Sequence, residues 1–592
     1  MELYCGKICQ DDLDKEVTLN GWCRYIRDHG GKIFVDLADR TGMCQLVFEG
    51  HLADNAKELG REYVLNISGT VRLRDKETVD EDNPTGRLEV LVKSLDIISK
   101  SETPPFEITD EKKKFLASED IRLKYRYLDL RRKEMIDNIE FRDKVTKRAR
   151  RFFWDNDFLE LETPTLVKDT YETGARPFIV PSRTKKGMFF SLPQSPQIYK
   201  QLAMMSGLGK YFQVARAFRD EDQREDRQPE FTQLDFEVSF KDESYIMSLV
   251  EDLIKSIFND VIGEKLKVPF KKMDYYEAMS KYGSDKPDIR YDYPIIDITD
   301  EIKDSDYNII NRVIQAGGSV KAVCFSAEYP NGKVNKDFML SIIEIAKSNG
   351  LKGLTWLFVR DGKLNSIPES IAEAMSKSEE KILNKLKAQE GDIIIFGADM
   401  DEDLLLQAIG KARKIIGDKI GKFTEQFSFL WVIDFPLFEL DKITGKLKPS
   451  HNPFTAPYDE DIKFLDSNPG KVRGRQFDLV LNGNEIGGGA VRINNREMQL
   501  KILDMIGIHE EDAMKNFGFL IEALSYGAPK DIGFAIGLDR FVMLLKGAQS
   551  IRDFILFPKT KSFESPIDGS PTIIENSRLS DDYNLEIRDK KD

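Results

Sequence analysis

Residues 218–237 read FRDEDQREDRQPEFTQLDFE, and they constrain the fold more than any other stretch of the chain. Fixed cations alternate with carboxylates over twenty residues, and at both ends they are interleaved with aromatics. That order predicts an antiparallel hairpin built to grip a polyanion and its metal ions. A solvated, salt-bridged surface loop does not require it.

The surrounding chain has room for such a site. Its 592 residues allow about three or four domains. No apolar run approaches the ~18 residues of a membrane helix. Met1-Glu2-Leu3-Tyr4 lacks the basic start of a secretory leader, so no membrane association and a cytoplasmic location are expected. Five cysteines without a C-x-x-C pair suggest reduced thiols. The four scattered histidines argue against a histidine metal site, so a metal should sit on carboxylates, as Mg²⁺ prefers. A net charge of −14 excludes a general nucleic-acid coat. Within it, residues 121–151 hold twelve Lys/Arg against five Asp/Glu, either a solvated helix face or a strip for a nucleic-acid backbone.

The organisation follows from patterning. Residues 17–25, 33–38, 43–48, 63–74 and 87–98 read as strands punctuated by Gly30-Gly31 and Pro84-Thr85-Gly86, which suits a five-stranded barrel of the OB type over 1–107. A linker or hinge is expected over 108–133. A helix over 134–156, apolar at Ile139, Val145, Ala149, Phe152 and Phe153, runs into a strand ending at Pro164. This opens the first part of a second domain, 134–289. Residues 290–422 change composition, carry strands at 321–327, 353–359 and 392–397, and read as an insertion. The second domain resumes over 423–560, and 561–592 form an extension.

Activation of a carboxylate by ATP brings two anions and divalent metal into one site. The protein must position them against their repulsion and stabilise charge at the phosphate. Arg219 can offer a bidentate fork, with Glu221 expected on the same side of a strand. Asp478 and Glu485, in FDLVLNGNEIGGGAVR, can hold Mg²⁺, and Gly487, Gly488 and Gly489 let a ligand approach the backbone. Arg492 can project into the same pocket. Arg540, in the first turn of the GLDRFVMLL helix, suits a terminal phosphate.

The helix and strand ending at Pro164, the FRDE hairpin and the GLDR helix resemble, in order, the three signature motifs of class II aminoacyl-tRNA synthetases. QSPQIYKQL, SHNPFTAP and NEIGGGAVRI are similar to the bacterial-type aspartyl branch over nearly the whole chain. The resemblance implies an α+β fold: an antiparallel-sheet catalytic domain, the N-terminal OB barrel, and an inserted α+β domain of the GAD type, whose namesake is Gly397-Ala398-Asp399. It implies ATP as substrate, Mg²⁺, L-aspartate, tRNA(Asp) and a homodimer, with tRNA(Asn) left open as a second partner. It assigns Arg219, Glu221 and Arg540 to catalysis. Aspartate contacts fall on Glu172, Gln197, Ile198, Tyr199, Lys200, Arg219, Asp235, His451 and Arg492. Nucleotide contacts fall on Arg219, Asp220, Glu221, Gln228, Glu485, Gly537, Leu538, Asp539 and Arg540. Arg27, His29, Phe34 and Gln45 would meet the anticodon. The chain departs from the family at Tyr171-Glu172-Thr173-Gly174, where one residue is added after the glutamate of the usual T-P-E-G-A-R loop. AMSKS at 374–378 imitates half of a class I signature without its histidine partner, and is expected to be a helix boundary capped by Ser376 or Ser378.

Overall fold

The computed structural model describes residues 1–108, 116–169, 176–222 and 224–587. Strands β1 (Glu16–His29), β2 (Lys32–Asp39), β3 (Gly42–Phe48), β4 (Val64–Leu73) and β5 (Leu88–Ser99) close in the order β1-β2-β3-β5-β4-β1, with β3 and β5 parallel. Ile33, Val35 and Leu37 alternate into the barrel core, leaving Phe34 and Asp36 on the outer face.

The second domain is built on one eight-stranded sheet. Helix α1 (Lys133–Asp155) precedes a two-residue edge strand, β6 (Leu159–Glu160), much shorter than the strand expected before Pro164. Helix α2 (Gln197–Met205) leads into the hairpin β7 (Lys210–Phe218) and β8 (Glu230–Ser239). Helix α3 (Glu243–Ile257), strand β9 (Lys271–Asp274) and helix α4 (Tyr275–Tyr282) follow. A separate sheet then holds β10 (Ser319–Phe325), β11 (Thr355–Arg360) and β12 (Ile393–Asp399), edged by Ile296–Asp297 and Lys363–Asn365 and backed by helix α5 (Glu402–Ile420). The first sheet is completed by β13 (Phe429–Ile433), β14 (Gln476–Leu481), β15 (Asn484–Val491) and β16 (Asp531–Gly537), which runs into helix α6 (Leu538–Leu545).

Its order is β9-β13-β14-β15-β16-β8-β7-β6, antiparallel within and parallel at both edges. Period-two alternation divides its faces. Leu234, Phe236 and Val238 of β8, with Ile532, Phe534 and Ile536 of β16, pack beneath the sheet against Val145, Ala149, Phe152 and Phe153 of α1, the i, i+4, i+7 stripe expected of a buried helix. Gln233, Asp235 and Glu237 therefore emerge on the other face.

Part of the basic segment 121–151 works inside the protein, while Lys124, Lys133, Lys144, Lys147 and Arg151 stay exposed. Arg126 is 1 % exposed and donates to the carbonyls of Arg552, Ile555 and Leu556, while Arg126 and Arg132 both donate to Asp129. Neither can lie along a nucleic-acid backbone. Ser378 begins a helix, as the boundary reading requires, but its hydroxyl makes no cap bond. All five cysteines carry free thiols. Among the described residues, no helix is long and apolar enough to cross a membrane.

Candidate active site

The polar face of the eight-stranded sheet floors a cavity of about 970 Å³. Strand register sets its layout. One row runs Gln213, Asp235, Ala535, Gly488, Asp478 across β7, β8, β16, β15 and β14, and the next runs Tyr211, Glu237, Gly533, Ala490, Gln476. Three strand spacings of about 4.8 Å separate Asp235 from Asp478, so the two groups stand ~14 Å apart along the floor. Small residues between them leave a trough for an extended ligand.

Only one of the three consecutive glycines serves that trough. A Cβ on Gly488 would lie 2.6 Å from Asp478 Oδ1 and 3.6 Å from His451 Cε1. Gly487 and Gly489 point the opposite way, where a Cβ would lie 2.8 and 2.6 Å from the Phe534 ring. Their smallness lets a core phenylalanine rise against the sheet. Gly533 is more restricted still, because its Cβ would fall 1.5 Å from Glu237 Oε2 and 2.6 Å from Arg492 Nη2.

At one end lies a buried charge cluster. Lys200 Nζ donates to Asp235 Oδ2 at 2.7 Å and pairs with Glu237 Oε2 at 3.2 Å. Arg492 donates to both oxygens of Glu237 from Nε at 2.8 Å and Nη2 at 3.2 Å. Asp235 Oδ1 is buried and has no partner. Burial, and then the Glu237 charge, push Asp531 well above the usual carboxylate range, with Arg492 opposing. Burial also raises Asp235, although Lys200 works against it. Lys200 and Arg492 thus share the cluster with three carboxylates, of which Glu237 is fully paired while Asp235 and Asp531 are shifted upward by burial. Glu237 and Asp531 were missing from the sequence reading, yet Glu237 stands two residues beyond Asp235 and so on the same strand face.

Helical spacing divides QIYK. Gln197 and Lys200, three apart on α2, line the cavity, whereas Ile198 is buried in a separate core with Phe454 and Leu503, and Tyr199 lies against Phe519 at 6.4 Å. Ile198 and Tyr199 are therefore not in the site. Gln197 Nε2 is buried without a partner.

The other end collects the hairpin. Strand β7 ends at Phe218, so Arg219 and Glu221 lie beyond it rather than within a strand. Arg219 donates from Nε to the Gln194 carbonyl at 3.2 Å, and its guanidinium lies 5.2 Å from the Phe231 ring centroid. Glu221 accepts from Arg227 at 2.8 Å. Arg540 donates to the Glu485 carbonyl at 2.8 Å and pairs with Asp226 of the hairpin turn at 2.9 Å. Gly537 closes β16 at the cavity wall.

Two expected nucleotide contacts, Asp220 and Leu538, are placed elsewhere, and two, Asp539 and Gln228, line the cavity with polar atoms engaged by the protein. Asp220 is exposed outside the cavity, with its backbone bonded to the Arg176 carbonyl. Leu538 packs in the core beneath the sheet. Asp539 is buried, accepting from Arg142 of α1 and from the Thr232 amide at 2.7 Å, and so ties helix to sheet. Gln228 uses both ends of its amide on the Lys559 backbone, at 3.1 and 2.8 Å. Glu172 lies outside the described residues.

Asp478 and Glu485 meet the test for a divalent cation. Asp478 Oδ1 is buried and unpartnered, and Asp478 is pushed well up by burial and then by the charges of Glu485 and Asp285, with Lys286 opposing. Burial also acts on Glu485, yet Lys286, Arg540 and His451 hold it below its usual range. A cation would relieve the repulsion between them. Among the described residues no third carboxylate, cysteine or histidine completes a ligand group, so phosphate oxygens and water would have to supply the rest.

His451 is open to the cavity but surrounded by protein. That burial, with Arg492, Arg219 and Lys200 nearby and Glu485 opposing, lowers it to about 4. The ring is neutral at physiological pH. Nuclear magnetic resonance of the His451 ring should show its titration midpoint near 4, with no change between pH 6 and 8; a midpoint near the ordinary 6.5 would contradict this geometry.

On the barrel, Arg27 forms a two-pronged bond with Asp36 at 2.7 and 2.9 Å and reaches Gln45 at 3.3 Å. Gln45 donates to Glu89 at 2.9 Å. Phe34 is half-buried beside them on the outer face and outside the core, and exposed His29 ends β1. An aromatic platform ringed by polar edges is the geometry that stacks an unpaired base.

Residues 118–561 match the model of class II tRNA synthetases (D, K and N), and residues 17–98 match that of the OB-fold nucleic acid binding domain. The chain is 43 % identical over 593 residues to an "Aspartate-tRNA ligase" of Bacillus licheniformis, covering 99 % of this chain and 98 % of that one. It is 44 % identical to an "Aspartate-tRNA(Asp/Asn) ligase" of Halothermothrix orenii, covering 97 % of each. The fold is shared with asparaginyl-tRNA synthetase from Pyrococcus horikoshii, at a TM-score of 0.59 and 20 % identity over 95 % of this chain and 98 % of that one. With a family model spanning the whole charged trough and relatives alike from end to end, the chain belongs to the class II tRNA synthetases of the D, K and N group.

Proposed function

We propose that the protein is an ATP-dependent aspartate-tRNA ligase. A carboxylate oxygen of aspartate, already ionised at pH 7, attacks the α-phosphorus without a general base. The new acyl-phosphate bond forms as the bond to the β-phosphate breaks, and pyrophosphate leaves with the electron pair. A terminal ribose hydroxyl of tRNA(Asp) then attacks the acyl carbon, releasing AMP and a proton.

The observation that carries this reading is the buried pairing of Lys200 and Arg492 with Asp235 and Glu237 beside an unpartnered Asp235 Oδ1. The cations suit the aspartate side chain, and Asp235 suits its ammonium. Asparagine, neutral at that position, would leave the cations undercompensated. Arg219 then reaches between the reacting carboxylate and the α-phosphate. Arg540 would exchange Asp226 for the terminal phosphate. Mg²⁺, held by Asp478 and Glu485, would neutralise phosphate charge when bound.

The protein is assigned to the cytoplasm, in keeping with its five free thiols. A homodimer is supported by the short edge strand β6 and the exposed Trp154, Leu159, Leu166 and Leu208. Charging of tRNA(Asn) as well is a second reading, favoured by the name of the Halothermothrix orenii relative. The test is exchange of labelled pyrophosphate into ATP, amino acid by amino acid, followed by charging of purified tRNA(Asp) and tRNA(Asn) side by side. Exchange driven by aspartate alone is expected. Exchange with no amino acid, or equally with asparagine, would overturn the reading, and the two tRNAs decide its breadth.

A further inference from the structure

Lys286 lies outside every motif used above, on the loop that follows α4. Its Nζ stands 3.6 Å from Glu485 Oε2 and 3.5 Å from Asp285 Oδ2, facing the end of the trough where Asp478 Oδ1 is buried without a partner. Burial works against its charge, but Asp285, Glu485 and Asp478 outweigh burial and keep the amine protonated. The Lys286 amine thus lies among Asp285, Glu485 and Asp478 at that end of the trough.

The loop that carries it is clamped from two sides. Gly283 has φ of +63° and its Cβ would lie 2.0 Å from the Leu406 carbonyl oxygen, while a Cβ on Gly410 of α5 would lie 2.5 Å from the Tyr282 carbonyl oxygen. Backbone therefore meets backbone, and only glycine permits the approach. Arg413 of α5, 1 % exposed, donates to the carbonyls of Asp288, Tyr291 and Tyr293 at 3.0, 3.1 and 2.5 Å, between the rings of Tyr282 and Tyr291. Across the loop, a Cβ on Gly483 of the β14–β15 turn would lie 2.9 Å from the Asp288 Cβ. Helix α5 and the β14–β15 hairpin that carries Asp478 and Glu485 thus fix the backbone of the Lys286 loop jointly.

We infer that Lys286 stands in for the divalent cation at Asp478 and Glu485 while the site is free of nucleotide, and swings to the triphosphate when ATP and metal enter together. The inference rests on the ATP-dependent reading above. An ammonium cannot bridge two carboxylates and several phosphate oxygens as a divalent ion does, so it yields the place. It can still neutralise an adjacent phosphate oxygen. Lys286 is therefore a positioning residue that keeps the carboxylate pair in register and discourages metal from binding without nucleotide.

The two roles pull in opposite directions in a Lys286→Met variant, which separates them from a structural defect. Mn²⁺ binding without nucleotide, followed by the paramagnetic resonance of the free ion, should tighten about tenfold as a cation–cation repulsion is lost. In the same variant the KM for ATP in pyrophosphate exchange should rise about tenfold through loss of a charge-assisted contact. Lys286→Arg, which keeps the charge, should bring both values back toward those of the unaltered protein. Mn²⁺ binding that is unchanged or weaker, or an ATP KM that does not move, would overturn the inference. The nucleotide-free Mn²⁺ titration reads Lys286 alone, whereas exchange by the unaltered protein reads the ligase assignment, so failure of one is distinguishable from failure of the other.

Discussion

Replacing Arg219 with lysine is expected to lower aspartate-dependent pyrophosphate exchange by about 10²- to 10³-fold, the usual consequence of removing one preorganised donor from a developing anion. The charge survives in that variant, so the loss reads geometry. Arg219 is held at three points: its amide donates to the Pro229 carbonyl at 2.8 Å, its Nε donates to the Gln194 carbonyl at 3.2 Å, and its guanidinium lies 5.2 Å from the Phe231 ring centroid. Those contacts fix the plane of the fork before any ligand arrives. An ammonium has neither a plane to stack nor two parallel donors to span a carboxylate and a phosphate. Because Arg219 sits beyond the end of β7 rather than in the core, the melting temperature should hardly change. Steady-state exchange and thermal melting of the same preparation check both halves, and full exchange activity in the lysine variant would remove Arg219 from its proposed role.

Local periodicity made much of the fold legible. The five barrel strands read from residues 17–98 match β1 to β5 within a few residues, because alternation such as Ile33, Val35, Leu37 against Phe34, Asp36 is a property of neighbouring positions. The same holds for α1 and for strands β10 to β12. Side-chain direction was harder to read. Nothing in QIYK states which face of α2 meets the cavity, so Ile198 and Tyr199 were grouped with Gln197 and Lys200. The three glycines looked equivalent until β16 supplied the Phe534 ring beneath two of them. Asp539 lines the cavity, but the structural bond it makes has no local signal, because its partner Arg142 lies 397 residues earlier in the chain. Within the basic segment 121–151 the buried role of Arg126 has no local signal either, since the carbonyls that accept from it belong to residues 552–556. Lys286 carried no local signal at all. Its role depends on a loop pressed between α5 and the β14–β15 turn, and such distant juxtapositions have no short-range pattern.

Arg492→Met is expected to weaken both aspartate binding and the fold, and the way in which the two effects separate tests the charge cluster. Arg492 and Glu237 form a bidentate pair with side chains 2 % and 0 % exposed. Removing the guanidinium leaves Glu237 with Lys200 at 3.2 Å as its remaining cation, beside an Asp531 that burial already disfavours as an anion. Breaking one side of a buried pair costs roughly 3–5 kcal/mol. The variant should melt well below the unaltered protein and need far more aspartate for half-maximal exchange. Adding Glu237→Gln removes the stranded carboxylate, so the double variant should recover much of the lost stability, because replacing both members of a buried pair is often nearly neutral. It should not recover aspartate binding, since one of the two cations proposed to meet the substrate's side chain is still gone. Calorimetric melting and aspartate KM, measured on both single variants and the double, form a cycle with a definite sign. If the double variant regained aspartate binding along with its stability, Arg492 would be a structural strut for Glu237 and selectivity would have to reside in Lys200 alone.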